Sequence, residues 1–423
     1  MTRVDAPVTT ATPARLALPA ILLGVFVVPM SITGTTVALP RIADSLGTDP
    51  TLLHSVVNGF NVAFAVFMLM WGALSDRIGH RTTLRAGVLL VLLSAVASAT
   101  SPSLGVLDLA RILAGVGAAA VFTGASATLG TLWSGTARTR AFSIFATMLG
   151  FGIALSPTIS GALITAVGWR GMFVVHAIVL TVSLIGVLAL VPPIARHHLA
   201  SGRIDLRPLA NPAYIAWCLV PVSGSIRFVA ILAYLPTAFS SVAGLPTGLA
   251  GLAVLPLSLP VLAAPIVAGR LLARGTVTPM QVAYAGIGML TVGDAGLLLF
   301  GPGMHYVALV VPMILIGAGF GCTLGVVDGN ALALLPAQST GLAAGVLNFV
   351  RMGSEAVFLA VFAAGISALV ARQLPGSVAA AVASGSPGHA AVYTAAFHLV
   401  VLGLIACHVV VGAAILVLDG RRR

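Results

Sequence analysis

The chain has no lysine, one glutamate and three cysteines in 423 residues, and charged side chains of every kind make up 7% of it. Soluble domains carry about one quarter charged residues. So little charge, beside a hydrophobic content of 59%, excludes a soluble enzyme. Cys218, Cys322 and Cys407 lie in apolar runs without paired or metal-ligand spacing. That excludes a disulfide framework and a cysteine-based metal centre, and leaves them as packing residues. Also missing are a phosphate-cradling G-x-x-x-x-G-K-[ST], an H-E-x-x-H, and a G-x-S-x-G on a suitable turn. ATP-driven work, zinc hydrolysis and serine catalysis therefore have no sequence support, and the chain is not expected to be an enzyme.

What is present is apolar sequence in long runs. A helix needs about 20 apolar residues to cross the hydrocarbon layer, and hydropathy with turn residues marks twelve such spans. They fall at 16–40, 52–74, 83–102, 104–132, 139–166, 169–192, 212–239, 247–273, 279–300, 304–335, 341–371 and 391–417. The expected fold is an all-α membrane protein of two six-helix halves. Its parts would be a tail 1–15, a first half 16–192, a central loop 193–208, a second half 209–417 and a basic tail 418–423. The net charge of +11 needs no nucleic acid to explain it, because cytoplasmic loops of membrane proteins collect basic residues. With the N-terminus inside, fifteen of the 21 arginines fall in inside segments, and only Arg41, Arg170 and Arg372 in outside loops. Both termini are therefore expected to be cytoplasmic. His197 and His198 in the central loop are expected to be solvated, and the small-residue loop 372–390 mobile.

One stretch breaks the apolar pattern. WGALSDRIGHR, residues 71–81, sets Asp76, Arg77, His80 and Arg81 at the end of the second span. Gly72, Leu74, Asp76, Arg77, Gly79, Arg81 and Leu84 reproduce G-x-L-x-D-R-x-G-x-[KR]-x-x-L, and Gly72-x-Leu74-x-x-Arg77 is echoed by Gly269-x-Leu271-x-x-Arg274 after the eighth span. Half-repeats of this kind are a device of secondary transporters. VALPRIADSLG (37–47), LARILAGVGAAA (109–120), GIALSPTISG (152–161), GWRGMF (168–173) and LNFVRMGSEA (347–356) complete the set. With these motifs the chain resembles the major facilitator superfamily end to end, and within it the drug:proton antiporter branches. The nearest likeness is to the antiporter-2 type, but with twelve rather than fourteen helices. It departs from that branch at Ser31, where an acid is common in the first helix, at Ala114 for Gln, and at Ser156 and Ser160 for two glycines.

The resemblance implies roles. Gly72, Asp76, Arg77, Gly79 and Arg81 would form a cytoplasmic gating motif, with Asp76 set against the start of helix eleven near Ser339–Thr340–Gly341. Asp108, Arg111 and Gly115 would be the fourth-helix motif. Gly152, Ser156, Pro157 and Gly161 would be the antiporter motif, bent at Pro157 and packed closely through small residues. A snorkelled, orienting loop is the plainer account of residues 71–81, and an ion pair with Asp108 the plainer account of Arg111. Ionisable groups inside spans cost about 2.5–3.5 kcal/mol on the insertion scale and mark function by default. Arg227, Asp328, Arg351 and Glu355 are the candidate proton or substrate site. Glu355 is favoured as proton carrier because Arg351 lies four residues before it on the same helix face. Asp294, in the ninth span, is expected to be peripheral, and His176, His398 and His408 to be packing or interfacial residues.

The expected function is a secondary active transporter of the plasma membrane, exchanging small amphipathic compounds for protons by alternating access. A proton symporter importing a nutrient is the alternative on the same fold, and a membrane sensor that transports nothing is a third reading. No cofactor or metal is implied, the proton gradient being the energy source. The expected partners are a small-molecule substrate, protons and the bilayer, with no nucleic acid, and the chain is expected to act as a monomer.

Overall fold

The computed structural model of the chain describes residues 11–192 and 207–420. The ends of both tails, and residues 193–206 of the central loop with His197 and His198, lie outside the described residues. The described chain is helical almost throughout. The first spans are α1 (Ala11–Leu46), α2 (Pro50–Ile78), α3 (His80–Ala99), α4 (Leu104–Leu132) and α5 (Gly135–Leu190). After the central loop come α6 (Pro212–Gly224), a π-helical turn (Ser225–Val229), α7 (Ala230–Ala243), α8 (Thr247–Leu252), α9 (Leu255–Ala273) and α10 (Pro279–Leu297). The last are α11 (Val307–Ala333), α12 (Thr340–Ala371), α13 (Gly376–Ala383) and α14 (Ala390–Gly420).

Ten described segments are long and apolar enough to cross a membrane. The fifth and sixth spans are joined in α5, whose one non-helical residue is Gly168, at φ 74° and ψ 173°. A second turn that depends on glycine is shorter still. Between α2 and α3 stands only Gly79, at φ 94°, a conformation L side chains rarely adopt. The seventh span, 212–243, is one run of helix through α6, the π-turn and α7. The loop 372–390, expected to be mobile, instead folds its middle into α13. It buries Ala379 and Val382 against the core, because small apolar residues at helical spacing can cover a neighbouring face.

Packing divides the chain into two units. Of the described residues, one comprises 11–133 and 155–192, and the other 134–154 and 207–420. Small residues bring helix backbones together where lipid provides no hydrophobic drive. In the first unit, a Cβ on Gly87 of α3 would lie 2.6 Å from the Val121 nitrogen of α4, and one on Gly124 would lie 2.7 Å from the Leu84 nitrogen. In the second, Gly286 of α10 and Gly319 of α11 face one another's carbonyls, at 2.8 and 2.6 Å from the hypothetical Cβ atoms. The third and fourth spans and the ninth and tenth are thus joined by the same device, which extends the half-repeat beyond the motif echo. Apolar side chains remain outside: Val174, Ile178, Val182 and Ile185 form an exposed stripe at helical spacing on the second arm of α5.

Candidate functional site

The 71–81 stretch is a tight, bonded corner. The Gly79 amide donates to the Ser75 carbonyl at 2.9 Å, and the Ser75 hydroxyl lies 2.9 Å from His80 Nδ1. Trp71 Nε1 donates to the Val116 carbonyl of α4 at 3.0 Å. Arg81 and Arg85 both donate to the Leu188 carbonyl, at 3.1 and 3.0 Å. Leu188 is in the last turn of α5, where carbonyls lack intrahelical donors and cations are favoured. These arginines therefore fasten the third span to the end of the sixth. Gly72 is buried, Asp76 half-buried and Arg77 exposed.

On α4, Arg111 is 1% exposed. It does not pair with Asp108, which bonds Ser55 instead. Its guanidinium donates through Nη1 to the Ser31 hydroxyl at 2.6 Å and through Nη2 to the Ser31 carbonyl at 3.1 Å. The same group lies 4.5 Å from the centre of the Phe60 ring and 5.8 Å from that of Phe173. Gly115, one turn on, lets α4 approach the Phe60 carbonyl of α2. Ser31 thus stands on α1 where the resembled branch commonly has an acid, and takes the guanidinium as a neutral acceptor.

The antiporter stretch stays helical through residues 152–161. The Ser156 hydroxyl donates to the Pro29 carbonyl at 3.1 Å, and Ser160 lies against Gly34, whose Cβ would meet its hydroxyl at 2.8 Å. The close approach here is made by Gly34 of α1. A Cβ on Gly161 would meet nothing within 4 Å, although Gly152 is buried.

The second unit holds two buried ion pairs. Arg351 of α12 donates to Asp328 of α11 at 2.5 Å and to Asn348 at 3.0 Å. Asp328, rather than the same-face neighbour Glu355, is thus the carboxylate that Arg351 bonds. Helical side chains lean toward the N-terminus, so Arg351 reaches back to Asn348 and across to Asp328, while Glu355 stays close enough to feel its charge. Arg351 also lines a narrow recess with Pro221, Phe320, Thr323, Leu324 and Val327. The second pair joins Arg227, inside the π-turn, to Asp294 of α10, and neither is more than 1% exposed. Asp294 is therefore a buried partner in the bundle. Sequence reasoning underrated it because its partner lies 67 positions earlier; an intramembrane acid and base of opposite sign were the available signal. His408, beside this pair, has Nδ1 3.2 Å from the Ser223 hydroxyl and Nε2 3.2 Å from the Ile287 carbonyl. His398 lies 2.7 Å from the Phe300 carbonyl. Among the described residues no group of three His, Cys, Asp or Glu could hold a metal ion.

The sequence profile of the Major Facilitator Superfamily matches residues 21–359. The chain belongs to that superfamily. It is 26% identical over 219 residues to the methylenomycin A resistance protein of Streptomyces coelicolor, which is 51% of this chain and 44% of that protein. It is 28% identical over 177 residues to the uncharacterized transporter YebQ of Escherichia coli, 42% of this chain and 39% of YebQ. The chain thus spans less than half the length of these relatives. The proton:xylose symporter XylE shares its fold at a TM-score of 0.69, with 16% identity, over 92% of this chain and 94% of that one. As a member of that superfamily, with ten described segments apolar enough to cross a membrane, it is a multi-pass membrane protein.

Proposed function

We propose that the chain is a proton-driven antiporter that exports small amphipathic compounds by alternating access. The reading rests chiefly on the Asp328–Arg351 pair. A carboxylate and a guanidinium, both buried, sit on separate helices, with Arg351 on the wall of a recess. A proton and a donor group of the substrate compete for the same carboxylate, and exclusive occupancy is what exchange requires. Protonation of Asp328 removes the charge that holds Arg351, so the pair has a bound and a released state. The antiporter stretch at 152–161 and the similarity to a resistance protein support export. The arginine distribution supports a plasma-membrane protein with both termini and the central loop in the cytoplasm. Residues 72–81 would act as the cytoplasmic gate, and no cofactor would be needed beyond the proton gradient.

The test is the sign of coupling. Purified protein in liposomes carrying an internal pH dye would be given a panel of amphipathic compounds that includes methylenomycin A. Compound entry with internal acid loss supports antiport. Entry accompanied by internal acidification establishes the symport alternative.

A further inference from the structure

Three arginines are buried among the described residues: Arg111, Arg227 and Arg351. The two in the second unit each face a carboxylate. Arg111, in the first, has none within ion-pair reach; its bonds go to the hydroxyl and carbonyl of Ser31, and its Nε has no partner. Asp108, one turn earlier on α4, is bonded to Ser55. An ion buried without a counterion is costly, and cation–π contacts with Phe60 and Phe173 offset only part of that.

A second observation points the same way. His176 packs edge-on against Phe173, with ring centroids 6.1 Å apart. It is 2% exposed, and neither ring nitrogen has a hydrogen-bond partner. The buried hydroxyl of Ser160, beside Gly34 one turn along α1 from Ser31, has none either. An unneutralised guanidinium, an imidazole and two hydroxyls thus gather among phenyl rings, with donors in excess of acceptors.

We propose that Arg111 and Ser31, with Phe60, Phe173 and His176 around them, bind the anionic group of a small aromatic or amphipathic molecule. The guanidinium supplies paired donors to a carboxylate or phosphate, an imidazole N–H supplies a third, and the phenyl faces cover the apolar part of the ligand. The inference narrows the substrate class of the proposed transporter and rests on that reading for its use in transport.

The test uses the purified full-length chain with radiolabelled benzoate and phenyl phosphate, against benzamide and benzylamine as neutral and cationic competitors. At least one of the two anions should bind saturably, and the competitors should be about tenfold weaker or worse, as loss of a charge-assisted hydrogen bond implies. Arg111→Gln should lose that binding. Because Arg111→Gln also removes packing that folding uses, Ser31→Asp is the second variant. It places an internal carboxylate on the guanidinium, so it should keep or raise the thermal midpoint while weakening anion binding about tenfold. Absence of saturable anion binding, equal binding of benzamide, or unchanged binding in Ser31→Asp would overturn the site. Counterflow in liposomes separates the two readings. Anion binding without counterflow of any compound keeps the site and sinks the transport reading. Counterflow that Ser31→Asp leaves untouched keeps the transport reading and sinks the site.

Discussion

Arg227 and Asp294 offer a perturbation whose size follows from their surroundings. Both are sealed from solvent, and they tie the π-turn of the seventh span to α10 of the ninth. Removing one partner of a buried pair strands the other charge and costs about 3–5 kcal/mol, whereas replacing both with well-packed apolar groups is often neutral or stabilising. Asp294→Leu alone should therefore lower the folded-to-unfolded ratio by more than about a hundredfold, as should Arg227→Met alone. The double variant, Arg227→Met with Asp294→Leu, should recover most of the loss, because the two side chains answer for one another. The assay is thermal unfolding of detergent-purified protein, followed by the monodisperse fraction after heating. Recovery in the double variant would establish the pair as a clamp. Single variants as stable as the parent would refute the reasoning, as would a double variant no better than the sum of the singles.

Three further outcomes are expected. Gly124→Val should abolish folded yield, because its Cβ would stand 2.7 Å from the Leu84 nitrogen, while Gly161→Ala should be silent because its Cβ meets nothing within 4 Å; yield by size exclusion decides both. Asp76→Asn should insert normally and lose most transport; a wild-type counterflow rate would leave residues 71–81 as an orienting loop only. A cysteine at Ser201, in a variant without the native cysteines, should be protected from impermeant reagent in intact cells, and labelling there would overturn the proposed orientation.

The spans were legible because hydropathy and turn chemistry are local in the chain. Gly79 and Gly168 were marked by motif residues, and their positive φ values show what those glycines do. The partners of buried charges were not legible in the same way. Spacing offered Glu355 to Arg351 and Asp108 to Arg111, yet both arginines bond across to other helices, at Asp328 and Ser31. A neighbour on the same helix face is readable from sequence, whereas a neighbour on another span depends on helix rotation, which hydropathy does not fix. The π-turn around Arg227 was equally hidden, since Pro221 at its approach reads as one more proline in a membrane helix. Proline and small residues are tolerated in such helices without saying which turn will widen.

The central claim is that Asp328 carries the exchanged proton. Proton flux driven by substrate, read by an internal pH dye in liposomes, tests it most directly in three proteins: the parent, Asp328→Asn and Glu355→Gln. Asp328→Asn keeps the shape and an acceptor for Arg351 but cannot take up or release a proton. The account predicts that it retains substrate counterflow and loses substrate-driven proton movement, while Glu355→Gln keeps both. Proton movement at the parent rate in Asp328→Asn would contradict the account, and its loss in Glu355→Gln alone would move the proton to Glu355.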